Sequence, residues 1–255
     1  MTDRYQVYTK VLKVLKGILK LSHSGHLVTL AMMIAGIAVG RNAQLSAVSA
    51  ETASKAKDKS NEMRLRRWVK NARIDAEVIY VPFARQVLEG LSNAPLVLVM
   101  DGSQVGRGCM VLMVCVLYQK RALPLAWIVY KGKKGHTTAE RHIEALGKVM
   151  PLIPSDSEVV LLGDAEYDTS EMMMWVEEKT PWKYVLRTSP QIYVCEGQES
   201  QAIGVYPLEK GHVFQRHQVG FTQSATLTLN LIGWWSSRYD GPLYLVTNLS
   251  SGYQA

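Results

Sequence analysis

The sequence is poor in cysteine, in long apolar runs and, over its first third, in negative charge. Its three cysteines, Cys109, Cys115 and Cys195, fall at no C-x-x-C or Cys/His spacing. That excludes a disulfide framework or a zinc site legible from sequence, and a reducing cytoplasm is expected. The strongest membrane candidate, Leu27–Val39, is interrupted by Thr29 and Gly36 and falls well short of the ~20 apolar residues of a spanning helix. It reads as a buried helix, and no membrane partner is expected. The N-terminus places Asp3 and Arg4 before a lysine-bearing helical pattern, without the compact apolar core of an export signal.

What is present is a basic N-terminal part. Residues 1–95 hold 15 Lys+Arg against 7 Asp+Glu, whereas residues 96–255 hold 14 against 15, so the net charge of +7 is entirely N-terminal. Such an excess suits double-stranded DNA, whose phosphates are neutralised by Lys and Arg; a solvated basic face with no partner has the same composition. Apolar residues at spacings of three and four predict helices over Tyr5–Leu21, Leu27–Val39, Leu45–Ala53 and Glu62–Val69, a small helical bundle covering roughly residues 5–90. In the last of these, Arg64, Arg66 and Arg67, with Lys70 just beyond, form the candidate DNA-binding face.

After Pro95 the pattern becomes strand-like. Leu96–Met100, Cys109–Tyr118 and Leu125–Tyr130 read as three strands in hairpin order. Thr137 with Glu140 reads as a capping box opening a helix to about Val149, Val159–Leu162 as a fourth strand, Asp168 with Glu171 as the cap of a helix over Ser170–Lys179, and Tyr184–Leu186 as a fifth strand. The order β-β-β-α-β-α-β is that of a ribonuclease-H-like mixed sheet. Residues 191–249 add β-rich material in Ile192–Cys195, Ala225–Trp235 and Leu243–Thr247. The expected organisation is α/β: a helical, basic, DNA-binding part over residues 1–92, a ribonuclease-H-like core over 93–190, and a β-rich insertion with a returning strand over 191–255.

Asp101 and Asp164 each end an apolar strand, in Val99-Met100-Asp101-Gly102-Ser103 and Leu161-Leu162-Gly163-Asp164-Ala165. Ligands bind at strand C-termini in open α/β sheets, and two carboxylates from neighbouring strands can share Mg²⁺, with Mn²⁺ as an alternative. Each aspartate taken singly is also an ordinary start of a turn. Lys131, Lys133 and Lys134, with His136, lie in a loop suited to a phosphate backbone or to plain solvation. Trp234 and Trp235 point to opposite faces of a strand, so at most one of them could stack on an unpaired base, and sheet packing is the expectation. Glu166 has no assignable role, Asp168 is expected only as a cap, and Met172, Met173 and Met174 as core filler.

The chain resembles the DDE transposases of bacterial insertion sequences that carry a β-rich insertion in a ribonuclease-H-like domain. The resemblance is carried by Arg64-Leu65-Arg66-Arg67-Trp68-Val69-Lys70-Asn71, Leu96–Asp101, Leu123-Pro124-Leu125-Ala126-Trp127, Val160–Asp164 with Tyr167, and Leu245-Val246-Thr247-Asn248-Leu249. It implies DNA transposition by metal-dependent strand cleavage and strand transfer at element ends. Asp101 and Asp164 would be the first two metal-binding carboxylates, the chain would be associated with the nucleoid, and it would form a homodimer on paired ends. The family's third acidic residue, a glutamate on a helix after the Leu-Val-Thr-Asn-Leu strand, has no counterpart here. No glutamate follows Glu209, and Glu196, Glu199 and Glu209 lie in the insertion. The expectation is therefore a transposase ending before its last catalytic helix, with a catalytically defective DNA-binding remnant as the alternative.

Overall fold

The computed structural model describes residues 3–20, 23–224 and 227–250. The chain forms two compact units that divide between Phe83 and Ala84. In the first, four helices run over Asp3–Ile18 (α1), Ser24–Gly40 (α2), Leu45–Ala50 (α3) and Asp58–Val69 (α4), and a fifth, Ala76–Leu91 (α5), begins there and continues into the second unit. Leu15, Leu19, Leu27 and Ala31 form the α1–α2 core, flanked by Val11, Leu12, Leu30, Ile79 and Phe83. Leu27–Val39 lies within α2, and among the described residues no helix is long and apolar enough to cross a membrane. The helix α5 escapes a periodicity reading because Pro82 sits inside it.

Helices α2 and α3 approach closely at Gly36. A Cβ there would lie 2.9 Å from both the Cγ1 and the backbone oxygen of Val48.

The second unit contains strands Leu96–Gly106 (β1), Cys109–Tyr118 (β2), Arg121–Lys131 (β3), Val159–Gly163 (β4), Lys183–Thr188 (β5), Tyr193–Glu196 (β6), Glu199–Ala202 (β7), Val213–Phe221 (β8), Leu227–Trp234 (β9) and Leu243–Thr247 (β10), with helices Ala139–Val149 (α6) and Ser170–Lys179 (α7). They form one sheet in the order β3-β2-β1-β4-β5-β10-β9-β8-β6-β7. Strands β1, β4 and β5 are mutually parallel, while β2 and β3 are antiparallel hairpin partners. The order 3-2-1-4-5 with an antiparallel second strand is the ribonuclease-H-like arrangement, so the expected fold class is the one found. The β-rich segment extends the same sheet, joined to it where β10 pairs antiparallel with β5.

Four sequence expectations are corrected. Strand β1 does not stop at Met100: its pairing with β4 ends at Val99, yet its other edge continues along β2, pairing Asp101 with Met113 and Gly102 with Leu112. The apolar run ends where one neighbour is lost, while the strand goes on. Helix α6 is capped at Thr138, one residue beyond the expected Thr137, and α7 at Thr169, not Asp168. Both displaced residues, Thr137 and Asp168, bond to side chains on other elements instead. Trp234 is 42% exposed, with its ring edge-on to Tyr239, so it is not sheet core.

Alternation along β1 and β4 gives the sheet two unequal faces. Leu96, Leu98, Met100, Val159 and Leu161 are buried on one, where α6 packs over β2 and β3 and α7 packs on α6. Val97, Val99, Val160 and Leu162 are only half-buried on the other.

Alanine is the better helix former, but Gly36→Ala places a methyl group against a backbone carbonyl that cannot turn away. It is expected to destabilise the helical unit by about 1–3 kcal/mol. Gly147→Ala, in α6 with nothing within 4 Å of its added carbon, is expected to stabilise by about 0.5–1 kcal/mol. Denaturant titration of the two variants checks both signs.

Candidate functional site

Strands β1 and β4 pair in parallel with Leu96 opposite Val159 and Val99 opposite Leu162. Carried two residues beyond the paired stretch, that register would bring Asp101, within β1, level with Asp164, the residue that follows β4. Asp101 shares the parity of Val97 and Val99 on the less buried face of β1, Asp164 opens the loop after β4, and both residues are exposed. Their neighbours Gly102 and Gly163 face the other way, into the buried side. Asp101, inside β1, and Asp164, the residue after β4, thus both lie just beyond the point where the β1–β4 pairing stops, and the charges of both act on Tyr167.

The Asp164 side chain turns back on its own loop. Its Oδ1 accepts the Glu166 N–H at 2.9 Å, and its backbone carbonyl accepts the Tyr167 N–H at 3.1 Å. The Asp101 carboxylate has no hydrogen-bond partner among the described residues. Its charge, together with burial as the larger cause, pushes the Cys115 thiol up from its ordinary value. This leaves hard oxygen donors uncommitted on both aspartates, a donor chemistry that fits a hydrated Mg²⁺. Among the described residues, no group of three or more His, Cys, Asp or Glu side chains gathers closely enough to form a complete metal cage. Of the insertion's glutamates, Glu196 pairs with Arg216 at 3.5 Å and Glu209 lies 4.0 Å from His212.

Glu166, unassigned from sequence, ties the basic loop to this edge. Its Oε1 accepts the Thr137 hydroxyl at 2.6 Å and the Thr137 N–H at 3.3 Å, and the Thr137 hydroxyl in turn meets the Tyr130 hydroxyl at 2.5 Å. The Arg141 guanidinium lies 3.9 Å over the Tyr130 ring. Lys131, Lys133 and Lys134 therefore sit, all exposed, on a loop whose C-terminal end is fastened two residues from Asp164. Nothing in the spacing of Thr137 and Glu166, 29 residues apart, announces this bond.

Beneath the aspartates, Tyr167 is 1% exposed and meets the ring of His142 edge-on at 4.9 Å. Burial, with the charges of Glu166, Asp164 and Asp101, pushes the Tyr167 phenol far above its ordinary value, so it stays neutral. Burial likewise pushes the His142 imidazole down, against the carboxylates around it. Both of its ring nitrogens are buried without a hydrogen-bond partner among the described residues.

In the helical unit, Arg64 and Arg67 line a depression of about 310 Å³ with His23, His26, Thr29 and Trp68. Arg64 donates to the Thr29 hydroxyl at 3.0 Å, and the Trp68 indole donates to the His26 carbonyl at 3.1 Å. Arg66 turns elsewhere: its Nη2 bonds the Glu62 carboxylate at 2.6 Å, which offsets its charge. Lys70 caps α4 and is exposed. The sequence-predicted basic face is accordingly divided, with Arg64 and Arg67 on one side of the helix and Arg66 committed to an ion pair.

No protein-family model matches the chain, and no curated protein does. Among solved structures, similarity extends to a piggyBac transposase synaptic complex with hairpin DNA, at 10% identity and a TM-score of 0.49, covering all of this chain and 60% of that one. A second is human ENDOV, at 18% identity and a TM-score of 0.33, covering 65% of this chain and 74% of that one. The chain thus spans about 60% of the length of the piggyBac transposase. The fold assignment stands on the strand order itself.

Asp168, expected only as a cap, is half-buried and accepts the Thr188 hydroxyl at 2.6 Å. Burial pushes its carboxyl up, against the lowering effect of that bond and of a backbone donor. A carboxyl raised in the folded state opposes folding once ionised. The penalty is absent below the ordinary aspartate value of ~3.9 and complete above the raised one. Asp168→Asn keeps an oxygen for Thr188, so it is expected to raise the thermal midpoint at pH 7 and to leave it unchanged near pH 3; a gain of equal size at both pH values would contradict this origin.

Proposed function

We propose that the chain is a DNA-processing enzyme of the transposase type, cleaving and joining phosphodiester bonds at a site built on Asp101 and Asp164. The observation that supports this reading is the parallel pairing of β1 with β4, just beyond which stand the Asp101 carboxylate, unpartnered among the described residues, and the Asp164 carboxylate, one oxygen of which is free of the Glu166 N–H. Asp101 and Asp164 would hold Mg²⁺ or Mn²⁺, which when bound supplies a Lewis acid to an in-line displacement at phosphorus. The lysines of the loop held by Glu166 would take the DNA backbone alongside, and Arg64 and Arg67 would anchor a further stretch of duplex. Action at insertion-sequence ends, and pairing of two copies there, rest on the family resemblance.

The test is nicking of supercoiled or end-bearing duplex DNA with Mg²⁺ or Mn²⁺. Asp101→Asn and Asp164→Asn are each expected to lower the nicking rate at least about 100-fold while leaving DNA affinity within about threefold. Binding that is salt-sensitive but without metal-dependent nicking in the unmodified chain would favour the second reading, a DNA-binding protein that does not cut. In either case Lys133→Ala with Lys134→Ala is expected to reduce the slope of log affinity against log salt by about 2, measured by fluorescence anisotropy.

A further inference from the structure

The residues on either side of the two aspartates are as informative as the aspartates. Gly102 follows Asp101 and Gly163 precedes Asp164, and neither has the positive φ that would require glycine. Both point into the buried face, and both meet the same side chain there. A Cβ at Gly102 would lie 3.1 Å from the Tyr167 hydroxyl, and one at Gly163 would lie 3.1 Å from the Cβ and the Cδ2 of Tyr167 and equally from the Cδ2 of Leu186. The ring therefore reaches from the end of β4 to the middle of β1, its root against Gly163 and its hydroxyl tip at Gly102, each the chain neighbour of one aspartate. Its main chain is fastened to the same loop, since its N–H bonds the Asp164 carbonyl at 3.1 Å, and its far side rests on His142 of α6.

We propose that Tyr167 is the spacer that sets the separation of Asp101 and Asp164, and thereby the divalent-cation affinity of the pair. The inference rests on the two-carboxylate reading of the site and adds a positioning residue to it. The pairing of β1 with β4 ends at Val99 and Leu162, so no ladder bonds hold the two strands together where the aspartates stand. A rigid aromatic ring with both ends seated against glycines takes over that task. A side chain at either glycine would push the ring or the strand, and a few tenths of an ångström at the backbone is enough to alter how two carboxylates share one cation.

The contacts differ at the two ends, which makes the test specific. At Gly102 the obstacle is the hydroxyl, and at Gly163 it is the root and ring edge of Tyr167 together with Leu186, none of which loses an atom in Tyr167→Phe. Gly102→Ala and Gly163→Ala are each expected to weaken Mn²⁺ binding, measured by calorimetry on the whole chain, by about tenfold. Tyr167→Phe removes the obstacle at Gly102 alone. It is expected to restore Gly102→Ala to within about threefold of the unmodified chain and to leave Gly163→Ala unrestored. If Gly102→Ala does not fold, folding and Mn²⁺ binding recovered in the Tyr167→Phe double variant support the proposal equally, and failure of the double variant to recover overturns it. Single glycine variants that fold and bind Mn²⁺ with unchanged affinity also overturn it, with the carboxylate reading left standing. Should the unmodified chain bind no Mn²⁺, or bind it undiminished after Asp101→Asn, the two-carboxylate reading falls and this inference falls with it.

Discussion

The parallel pairing of β1 with β4 is the constraint on which the second unit depends. Side chains on neighbouring parallel strands share a face when they share a level, so a slip of one residue would send Asp101 to the buried side and Gly102 to the surface. The register is favoured by what is buried: Leu96, Leu98 and Met100 on β1, with Val159 and Leu161 on β4, would be turned toward water by a slip of one residue. Burial on one face thus dictates geometry on the other. The core residues beneath hold the carboxylates above to a common level, and Tyr167 lies between the two layers.

Charge is distributed along the same edge in an alternating way. Acidic groups gather at the strand ends, and the lysine-bearing loop after β3 is drawn toward them by a neutral donor, the Thr137 hydroxyl, acting on Glu166. With Glu166 engaged by Thr137, its charge is partly satisfied within the protein, while Asp101 stays open. The proposed binding of a cation beside a phosphate backbone requires both signs within reach of each other without mutual neutralisation. Holding the lysine loop through a threonine, and not through a lysine–carboxylate pair, achieves that separation. In α4 the opposite choice is made at Arg66, whose pairing with Glu62 withdraws one cation from the basic face.

Much of this was legible in the sequence. Strand order and the aspartates' positions followed from apolar runs of strand length broken by Asp-Gly and Gly-Asp, because buried strands of a parallel sheet are apolar on both faces. The extent of β1 was not, since a strand that keeps one neighbour after losing the other no longer shows an uninterrupted apolar run. The caps of α6 and α7 were misplaced by one residue each, because Thr137 and Asp168 resemble N-caps in sequence yet bond across the fold to Glu166 and Thr188. Contacts made at a separation of 20 or 29 residues leave no local pattern. The role of the two glycines was also out of reach: a glycine beside an aspartate reads as a turn, and only the ring of Tyr167 reveals it as space kept free.

The junction of β10 with β5 bears on how the molecule is made. The Thr247 hydroxyl bonds the Tyr184 carbonyl across 63 residues, and the Asn248 side chain accepts the Tyr184 N–H. Strands β1 to β3 are successive hairpins and form from nearby chain, whereas β10 must close a long loop before any of its pairing is gained, a loss of chain entropy that slows folding. On a ribosome, β5 emerges well before its partner. Until residues near 247 arrive, its outer edge is an unpaired strand edge at the middle of an apolar sheet, and chaperone dependence and aggregation during synthesis should concentrate there.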